Sequence, residues 1–286
     1  MATWTQMGFT TRQSYGLCVS PGGTFYTNST SAGGGGRLNG IYRGVNMADP
    51  DYVFAMPSAY GMCNGAGEAI FGQNYNGAGI YYSAGGGAFS AVIPASGSYP
   101  AYGVAYNIST DSLYQTGRFG GVGPTDCFRS VAGGAWANIS SLNNVNMVGC
   151  AVNNAIDGSV YVAITGTYGA GQVGIWKQTA GSGSFVKQTG LLWGDSTLCA
   201  SPSGNVYNYY SGNLYKQTAG VGDFVLVTGI TNAPGATPIS MAFDSYGNLY
   251  SCSQTQSDVY KLTLPEEELP YIPIYSVYWS NIGGNA

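Results

Sequence analysis

Short alternations of apolar and polar residues, separated by glycine-containing turns, run along most of this chain. The clearest case is the stretch 195–229, in which four such segments follow one another as strands A, B, C and D. An alternation with a period of two residues is typical of β-strands, and glycine, asparagine and serine between them favour tight turns. The stretch therefore predicts one four-stranded antiparallel unit.

Weaker copies of this unit recur about every 45 residues. Each copy has a small apolar residue in strand A, and these are Cys18, Cys63, Val104, Cys150, Cys199 and Met241. Each copy also has an aromatic residue in strand B, and these are Tyr26, Phe71, Tyr114, Tyr161, Tyr207 and Tyr250. Four strands per repeat at this period are the signature of a β-propeller blade. The sequence thus predicts an all-β fold, a six-bladed β-propeller of four-stranded blades.

The last copy lacks a strand D, because its strand C is followed directly by a proline and three glutamates. The segment 3–8 closely resembles strand D of the fourth copy, at 184–190. We therefore expect the N-terminal strand to complete the sixth blade and close the ring, which protects sheet edges from exposure. The propeller is predicted to occupy residues 1–264. Residues 265–286 form a C-terminal tail whose prolines favour an extended path.

Two of the predicted A–B turns have a similar sequence, SPSGNVY at 201–207 and DSYGNLY at 244–250. They resemble the turn of NHL-type six-bladed propellers, whose repeats carry an Asp-x-x-Gly-Asn-apolar-Tyr pattern. The turns at 21–26 and 157–161 are looser matches. This resemblance implies the propeller fold and no particular activity, since propellers include enzymes, lectins and scaffolds.

Composition narrows the possible functions. Charged residues make up only 8% of the chain, the formal net charge is −4, and no basic run offers a surface for nucleic acid. Histidine is absent, which removes the commonest general base and the Ser–His and Cys–His nucleophile pairs. Neither a secretory signal nor an apolar run of membrane-spanning length is visible. We therefore expect synthesis in a host cytoplasm, with no membrane insertion.

The cysteines are expected to be structural. Four of them share a strand-A position with Val104 and Met241, namely Cys18, Cys63, Cys150 and Cys199. A position that accepts Cys, Val or Met is a small packing site, so buried free thiols are predicted. No CxxC pair is present, and we expect no metal and no cofactor. For Cys127 and Cys252 a disulfide across blades or to a partner chain stays open.

Charged and aromatic residues outside the predicted core are candidates for binding. The lysines of the repeat are expected to be solvated edge charges, at Lys177, Lys187, Lys216 and Lys261. The D–A and B–C loops share one face, and exposed rings with arginine suit carbohydrate or protein recognition. The candidate ligand-binding residues on that face are Arg12, Arg37, Tyr75, Arg118, Phe119, Tyr168, Trp193 and Tyr210. The tail is expected to pack on the propeller or to dock on a partner through Tyr271, Tyr275, Tyr278 and Trp279.

Three functions fit these features. The preferred hypothesis is a non-enzymatic virion protein, because low charge and abundant Gly, Ser, Asn and Tyr resemble the composition of bacteriophage tail-tip, fibre or capsid-surface proteins. Its expected location is the virion, and its expected partners are other virion proteins, copies of itself or a host-surface glycan. The alternative is a soluble propeller lectin. The third hypothesis is a carboxylate-dependent hydrolase or lyase, for which Asp126 and Asp195 are the acids to test.

Overall fold

The computed structural model describes most of the chain but not every loop. The described residues are 2–10, 16–29, 40–45, 51–56, 59–74, 79–85, 87–93, 101–117, 126–140, 146–165, 172–179, 182–188, 197–231, 233, 238–253 and 258–264. Within them the chain forms 25 β-strands in six sheets, with one 3-10 turn at Thr218–Gly220. No helix of the described part is long and apolar enough to cross a membrane.

Each sheet is one blade, with strands A to D side by side in chain order. Blade 1 consists of β2 (Leu17–Val19), β3 (Phe25–Ser29), β4 (Gly40–Gly44) and β5 (Asp51–Phe54). Blade 2 consists of β6 (Ala59–Asn64), β7 (Ala69–Asn74), β8 (Ile80–Ala84) and β9 (Ser90–Ile93). Blade 3 consists of β10 (Ala101–Asn107), β11 (Ser112–Gly117), β12 (Asp126–Val131) and β13 (Ala137–Asn138).

The second half of the chain repeats this arrangement. Blade 4 consists of β14 (Asn146–Asn153), β15 (Ser159–Thr165), β16 (Gly174–Gln178) and β17 (Val186–Lys187). Blade 5 consists of β18 (Thr197–Ala200), β19 (Val206–Tyr210), β20 (Asn213–Gln217) and β21 (Val225–Leu226). Blade 6 consists of β23 (Pro238–Phe243), β24 (Asn248–Ser253), β25 (Asp258–Thr263) and the N-terminal strand β1 (Ala2–Thr10), with β22 (Ile230–Thr231) at its outer edge. The predicted six-bladed all-β propeller is confirmed.

The N-terminal strand closes the ring as predicted. Strand β1 pairs antiparallel with β25, and Trp4 lies opposite Leu262. Trp4 is 3% exposed, and the equivalent residue in blade 4, Phe185 just before β17, is 4% exposed. Strand β22 adds a parallel pairing to β1 that the repeat did not predict, with Ala2 opposite Ile230. The first residues of the chain therefore pair with strands near its C-terminal end.

The core lies between successive blades, because each sheet buries one face against the next. One hydrophobic cluster, for example, joins Tyr161 and Ile175 of blade 4 to Val206 and Phe224 of blade 5. Five of the six strand-B aromatic residues are at most 3% exposed, namely Tyr26, Tyr114, Tyr161, Tyr207 and Tyr250. The boundary between propeller and tail falls where the described residues end, so the predicted domain division stays a prediction.

The predicted strand-A register is wrong in three blades. All six thiols are free, and all but the half-buried Cys63 are buried. Cys18, Cys63 and Cys199 lie opposite the strand-B aromatic residue of their blades. In blades 3, 4 and 6 this position belongs to Ala105, Ala151 and Ala242, each one residue after the predicted Val104, Cys150 and Met241. The register shifts between Met147 and Gly149, and the A–B turns differ in length between blades. Alignment by residue type and approximate spacing therefore placed Val104, Cys150 and Met241 on the wrong faces of their sheets.

Candidate functional site

A channel along the propeller axis forms a cavity with a volume of about 440 Å³. Its walls are the innermost strands of all six blades, β2, β6, β10, β14, β18 and β23. Each of these is an edge strand of its sheet, so one row of backbone N–H and C=O groups is not used for sheet pairing. The backbone groups of these strands can therefore form hydrogen bonds inside the channel. Asp244 is the one charged side chain among the described lining residues.

Asparagine side chains at the ends of three strands A bond to a neighbouring blade. The side-chain amide of Asn107 donates to the carbonyl of Gly158 at 3.0 Å, and that of Asn153 donates to Gly204 at 2.8 Å. Asn64 of blade 2 donates to the carbonyl of Val19, in strand A of blade 1. In these bonds a carbonyl group of a neighbouring blade replaces water as the partner of the asparagine amide. The bonds of Asn107 and Asn153 hold A–B turns in place at the mouth of the channel.

Asp244 is the one carboxylate among the described residues that line the channel. One of its oxygens accepts the N–H groups of Tyr246 at 2.9 Å and Asn248 at 2.8 Å. The other accepts the side-chain amide of Asn248 at 2.7 Å and the hydroxyl of Tyr250 at 3.1 Å. Because both oxygens are engaged within its own turn, Asp244 serves to shape the turn and is poorly placed to move a proton.

The thiols of Cys18 on strand A and Cys127 on strand C are held in their neutral form. Burial raises the pKa of Cys18. A hydrogen bond with Cys150 and burial together raise the pKa of Cys127 well above its ordinary value. Since the thiolate is the nucleophile, a thiol whose pKa is raised by burial is inert. The prediction of structural cysteines therefore agrees with their surroundings.

A tyrosine on strand B faces a cation on strand C in five blades. The pairs are Tyr26 with Arg43, Tyr114 with Arg129, Tyr161 with Lys177, Tyr207 with Lys216 and Tyr250 with Lys261. In blade 2 the same positions hold Phe71 and Tyr82. The strand-C charge is therefore a structural feature of every blade but the second.

This pairing corrects the prediction that the repeat lysines are solvated edge charges. The ammonium of Lys177 lies 5.5 Å from the centre of the Tyr161 ring and donates to the carbonyl of Gly220 in blade 5 at 2.8 Å. Lys261 lies 5.7 Å from the Tyr250 ring. Both therefore make cation–π contacts, and Lys177 also joins two blades. Lys187 is exposed, as predicted.

Asp157 completes the blade-4 group. It lies 3.5 Å from Lys177, and Ser159 donates to it through its N–H at 2.9 Å and its hydroxyl at 2.6 Å. Burial alone would raise the pKa of Asp157, but the Ser159 bonds and the Lys177 charge outweigh it and lower the pKa. Because its pKa is lower in the folded protein than in the unfolded chain, the charged Asp157 stabilises the fold. This stabilisation is complete above the pKa of the unfolded chain, about 4, and is lost as the pH falls below that value.

We therefore expect Asp157→Asn to reduce the acid sensitivity of folding. The wild-type protein should lose more stability between pH 6 and pH 3 than the variant, because only the wild type must protonate a carboxyl that is stabilised in its charged form. The measurement is the urea midpoint at the two pH values. Asp51→Asn is the matched control, since Asp51 is exposed at the start of β5. An equal loss in wild type and Asp157→Asn would contradict the assignment.

Asp126 and Asp258 begin strand C of blades 3 and 6, at the opposite end of the blades, and the side chain of Asp126 is described. Asp126 begins β12, and the strand registers place it in a row with Gly117 and Ala101, at the end of the sheet away from the A–B turns. Burial raises the pKa of Asp126, although the side-chain amide of Asn138 donates to it at 3.1 Å and opposes the shift. A carboxylate with a raised pKa is better matched to proton transfer near neutral pH.

Most of the predicted binding residues cannot be compared with the structure. Only Tyr210, at the end of β19, is described, and it is half-buried. The other loop candidates lie outside the described residues: Arg12, Arg37, Tyr75, Arg118, Phe119, Tyr168 and Trp193. The same is true of the tail residues Tyr271, Tyr275, Tyr278 and Trp279, and of Asp195. The predicted ligand-binding and docking roles therefore stay predictions.

Among the comparisons with known proteins, only the comparison of three-dimensional structures found matches, and these support the fold. No protein-family model matches the chain, and no curated protein matches it. Solved structures match along almost its whole length. A gluconolactonase of Xanthomonas campestris is 14% identical, with 92% of this chain and 90% of that chain covered and a TM-score of 0.68.

Two further structures have the same extent of similarity. Regucalcin of Agrobacterium tumefaciens, a calcium-binding protein, is 10% identical, with 92% of this chain and 94% of that chain covered and a TM-score of 0.66. A virginiamycin B lyase of Staphylococcus aureus is 11% identical, with 92% of this chain and 100% of that chain covered and a TM-score of 0.61. At these identities the similarity establishes the six-bladed propeller fold alone.

The named structures contradict the prediction of a non-enzymatic virion protein. A gluconolactonase and a lyase are enzymes, and nothing in these matches points to a bacteriophage particle. The prediction failed because it rested on composition. Abundant glycine, serine and tyrosine are required by the turns and strands of a propeller and do not indicate where it acts. The expected partners and location stay predictions.

A calcium ion does not fit the part of the channel that is described. Calcium takes six to eight oxygen ligands, usually including carboxylates. No group of three or more His, Cys, Asp or Glu side chains converges among the described residues, and both oxygens of Asp244 are engaged in its turn. The residues that line this part of the channel therefore lack the donor set of a calcium site.

Proposed function

We propose that this chain is a lactone hydrolase, an enzyme that adds water to a cyclic ester of a small organic acid. The observation that carries the proposal is the match to a gluconolactonase over about nine-tenths of both chains. A second propeller described as a putative gluconolactonase is 14% identical, with a TM-score of 0.66.

The absence of histidine favours a hydrolase over a lyase of the virginiamycin type. Replacement of one histidine by alanine makes that lyase catalytically inactive. This chain contains no histidine, so it cannot use an equivalent group. Ester hydrolysis needs a base for the attacking water, and a carboxylate can fill that role.

We place the reaction at the end of the propeller formed by the B–C and D–A loops. At the A–B turn end, Asp244 is engaged by four hydrogen bonds, and the buried thiol of Cys18 is held neutral. Asp126 lies at the other end and has a raised pKa. Among the described carboxylates it is therefore the best candidate for proton transfer.

In the proposed reaction the carboxylate of Asp126 takes a proton from water as the water oxygen bonds to the carbonyl carbon of the lactone. The ring C–O bond then breaks, and the carboxyl returns the proton to the leaving oxygen. The product is the open-chain hydroxy acid, and no oxidant or reductant is needed. Asn138, which donates to Asp126 at 3.1 Å, would hold the carboxylate in position.

The test is a pH-stat assay of acid release from γ- and δ-lactones, including glucono-δ-lactone. We expect turnover above the spontaneous rate, and we expect Asp126→Asn to lower kcat by at least tenfold, about 1.4 kcal/mol. Asp51→Asn, at an exposed carboxylate, should leave kcat unchanged. Asp244→Asn is expected to lower the melting temperature, because the turn loses acceptor strength, with kcat retained at temperatures where it is folded.

Two results would count against this proposal in different ways. If no lactone is hydrolysed above background, the proposed activity is wrong. If a lactone is hydrolysed and Asp126→Asn retains full kcat while folded, the activity stands and the assignment of Asp126 is wrong.

A further inference from the structure

A second cavity lies between blades 2 and 3 on the face of the A–B turns, and it has a volume of about 280 Å³. Aromatic rings form much of its wall, namely Phe71, Tyr82, Tyr106 and Trp136. The Phe71 and Tyr106 rings are stacked with centres 5.3 Å apart, and the Phe71 and Tyr82 centres are 5.2 Å apart. Leu113 adds a buried apolar side chain. We name this cavity the blade 2–3 cleft.

The blade 2–3 cleft coincides with the one blade that lacks the strand-C cation. In blades 1, 3, 4, 5 and 6 an arginine or lysine lies opposite the strand-B tyrosine. In blade 2 the residue opposite Phe71 is Tyr82. The cleft residues include neither lysine nor arginine. The aromatic surfaces that hold Lys177 in blade 4 are thus present in blade 2 without an internal cation.

A carboxylate nevertheless faces this cleft. One oxygen of Asp111 accepts the hydroxyl of Tyr106 at 2.5 Å. Burial and this hydrogen bond raise the pKa of Tyr106 to about 12, so the phenol remains a donor at neutral pH. The other oxygen of Asp111 has no hydrogen-bond partner among the described residues. The cleft therefore combines electron-rich rings with one carboxylate oxygen that is available to a ligand.

The backbone at Asp111 has the left-handed conformation that glycine adopts at the same position in four other blades. Asp111 has a φ of 46°, three residues before the strand-B aromatic residue. Blades 1, 4, 5 and 6 have glycine there, namely Gly23, Gly158, Gly204 and Gly247, also with positive φ. Aspartate is one of the few residues besides glycine that adopt this conformation. A carboxylate thus stands where four other blades have glycine.

We propose that the blade 2–3 cleft binds a small organic ammonium ion with an apolar body. The ammonium would lie over the aromatic rings and pair with the free oxygen of Asp111, as Lys177 lies over Tyr161 and pairs with Asp157. The apolar body would contact Leu113 and Trp136. This site is separate from the proposed lactone site, and it does not depend on that function.

The probes are benzylamine, which is a cation at pH 7, and benzyl alcohol, its neutral counterpart of similar shape. Binding is measured by ligand-observed NMR titration of the full chain. We expect benzylammonium to bind with a Kd at least tenfold lower than that of benzyl alcohol. Asp111→Asn removes the charge and keeps a residue that tolerates positive φ. It should raise the Kd of benzylammonium at least tenfold and leave that of benzyl alcohol within twofold.

A second variant supplies the missing cation from within the chain. Tyr82→Lys gives blade 2 the strand-C residue of blades 4, 5 and 6, and it should abolish benzylammonium binding because the ammonium position is filled. Val186→Lys adds the same charge to an exposed position in blade 4, and Asp157→Asn removes a carboxylate from another blade. Neither control should change the Kd by more than twofold.

Three outcomes would overturn the proposal. The first is no detectable binding of benzylammonium, and the second is equal affinity for the amine and the alcohol. The third is unchanged binding in a folded Asp111→Asn protein. If Tyr82→Lys does not fold, Asp111→Asn alone decides, since glycine at the same position in four other blades indicates that the turn does not need this carboxylate.

Discussion

Replacement of Trp4 by alanine is expected to lower the free energy of unfolding by about 3–5 kcal/mol, the range for loss of a fully buried large aromatic side chain. Trp4 is 3% exposed and contacts Tyr209 of blade 5 edge-on, with ring centres 6.2 Å apart. It also lies on the strand that closes the ring, opposite Leu262. The cavity left by alanine would therefore weaken both the core and the closure. The measurement is equilibrium unfolding in urea.

The matched control is Thr5→Ala, in the same strand and next to Trp4. Thr5 is exposed and lies opposite Lys261, so its removal should change the free energy of unfolding by less than about 0.5 kcal/mol. If Trp4→Ala had the same small effect as Thr5→Ala, the N-terminal strand would not be an integral part of blade 6.

Replacement of Gly103 by valine is expected to destabilise the protein by about 3 kcal/mol, the upper end of the usual cost of overpacking. A Cβ at Gly103 would lie 2.8 Å from the backbone nitrogen of Cys150 in the next blade and 2.9 Å from the hydroxyl of Thr116. Backbone cannot move aside as a flexible side chain can. The two innermost strands would therefore have to separate, and the ring would have to widen at this contact.

Gly87→Val is the control for this prediction. A Cβ at Gly87 would meet nothing within 4 Å, and the residue is exposed in the C–D turn of blade 2. The urea midpoint of Gly87→Val should stay close to that of the wild type. A midpoint for Gly103→Val equal to that of the control would mean that blades 3 and 4 are not in close contact at the channel.

The repeat predicted most of the fold because each blade obeys local rules. Strand-B aromatic residues such as Tyr161 are separated by about the same number of residues in every copy, and each pairs with its neighbours through local antiparallel turns. The similarity of segment 3–8 to 184–190 then identified the closing strand, which the pairing of β1 with β25 confirms. By contrast, Cys150 was assigned to the wrong face, because insertions in a turn change spacing without changing the residue pattern.

The candidate sites were less accessible to prediction. Six blades of similar sequence do not indicate which neighbouring surfaces leave a space between them. The absence of a cation in blade 2 was visible in the sequence, since Tyr82 stands where the other blades have lysine or arginine. Its significance depends on Asp111 and Trp136 of blade 3, which lie far along the chain from Phe71. The hypothesis of a non-enzymatic virion protein was wrong because amino-acid composition does not show which residues lie close together in the folded protein.

The sequence by itself determined the all-β class, the number of blades and the strand that closes the ring. These follow from apolar periodicity, turn residues and repetition. Each of them can be recognised from residues that are close in the chain or from segments that share one residue pattern. Only the tertiary structure decided which strand-A residues face each other, how tightly Gly103 meets Cys150, and where the blade 2–3 cleft opens. Such features depend on contacts between blades, where a shift of one residue or the loss of one side chain changes a packed surface into a cavity.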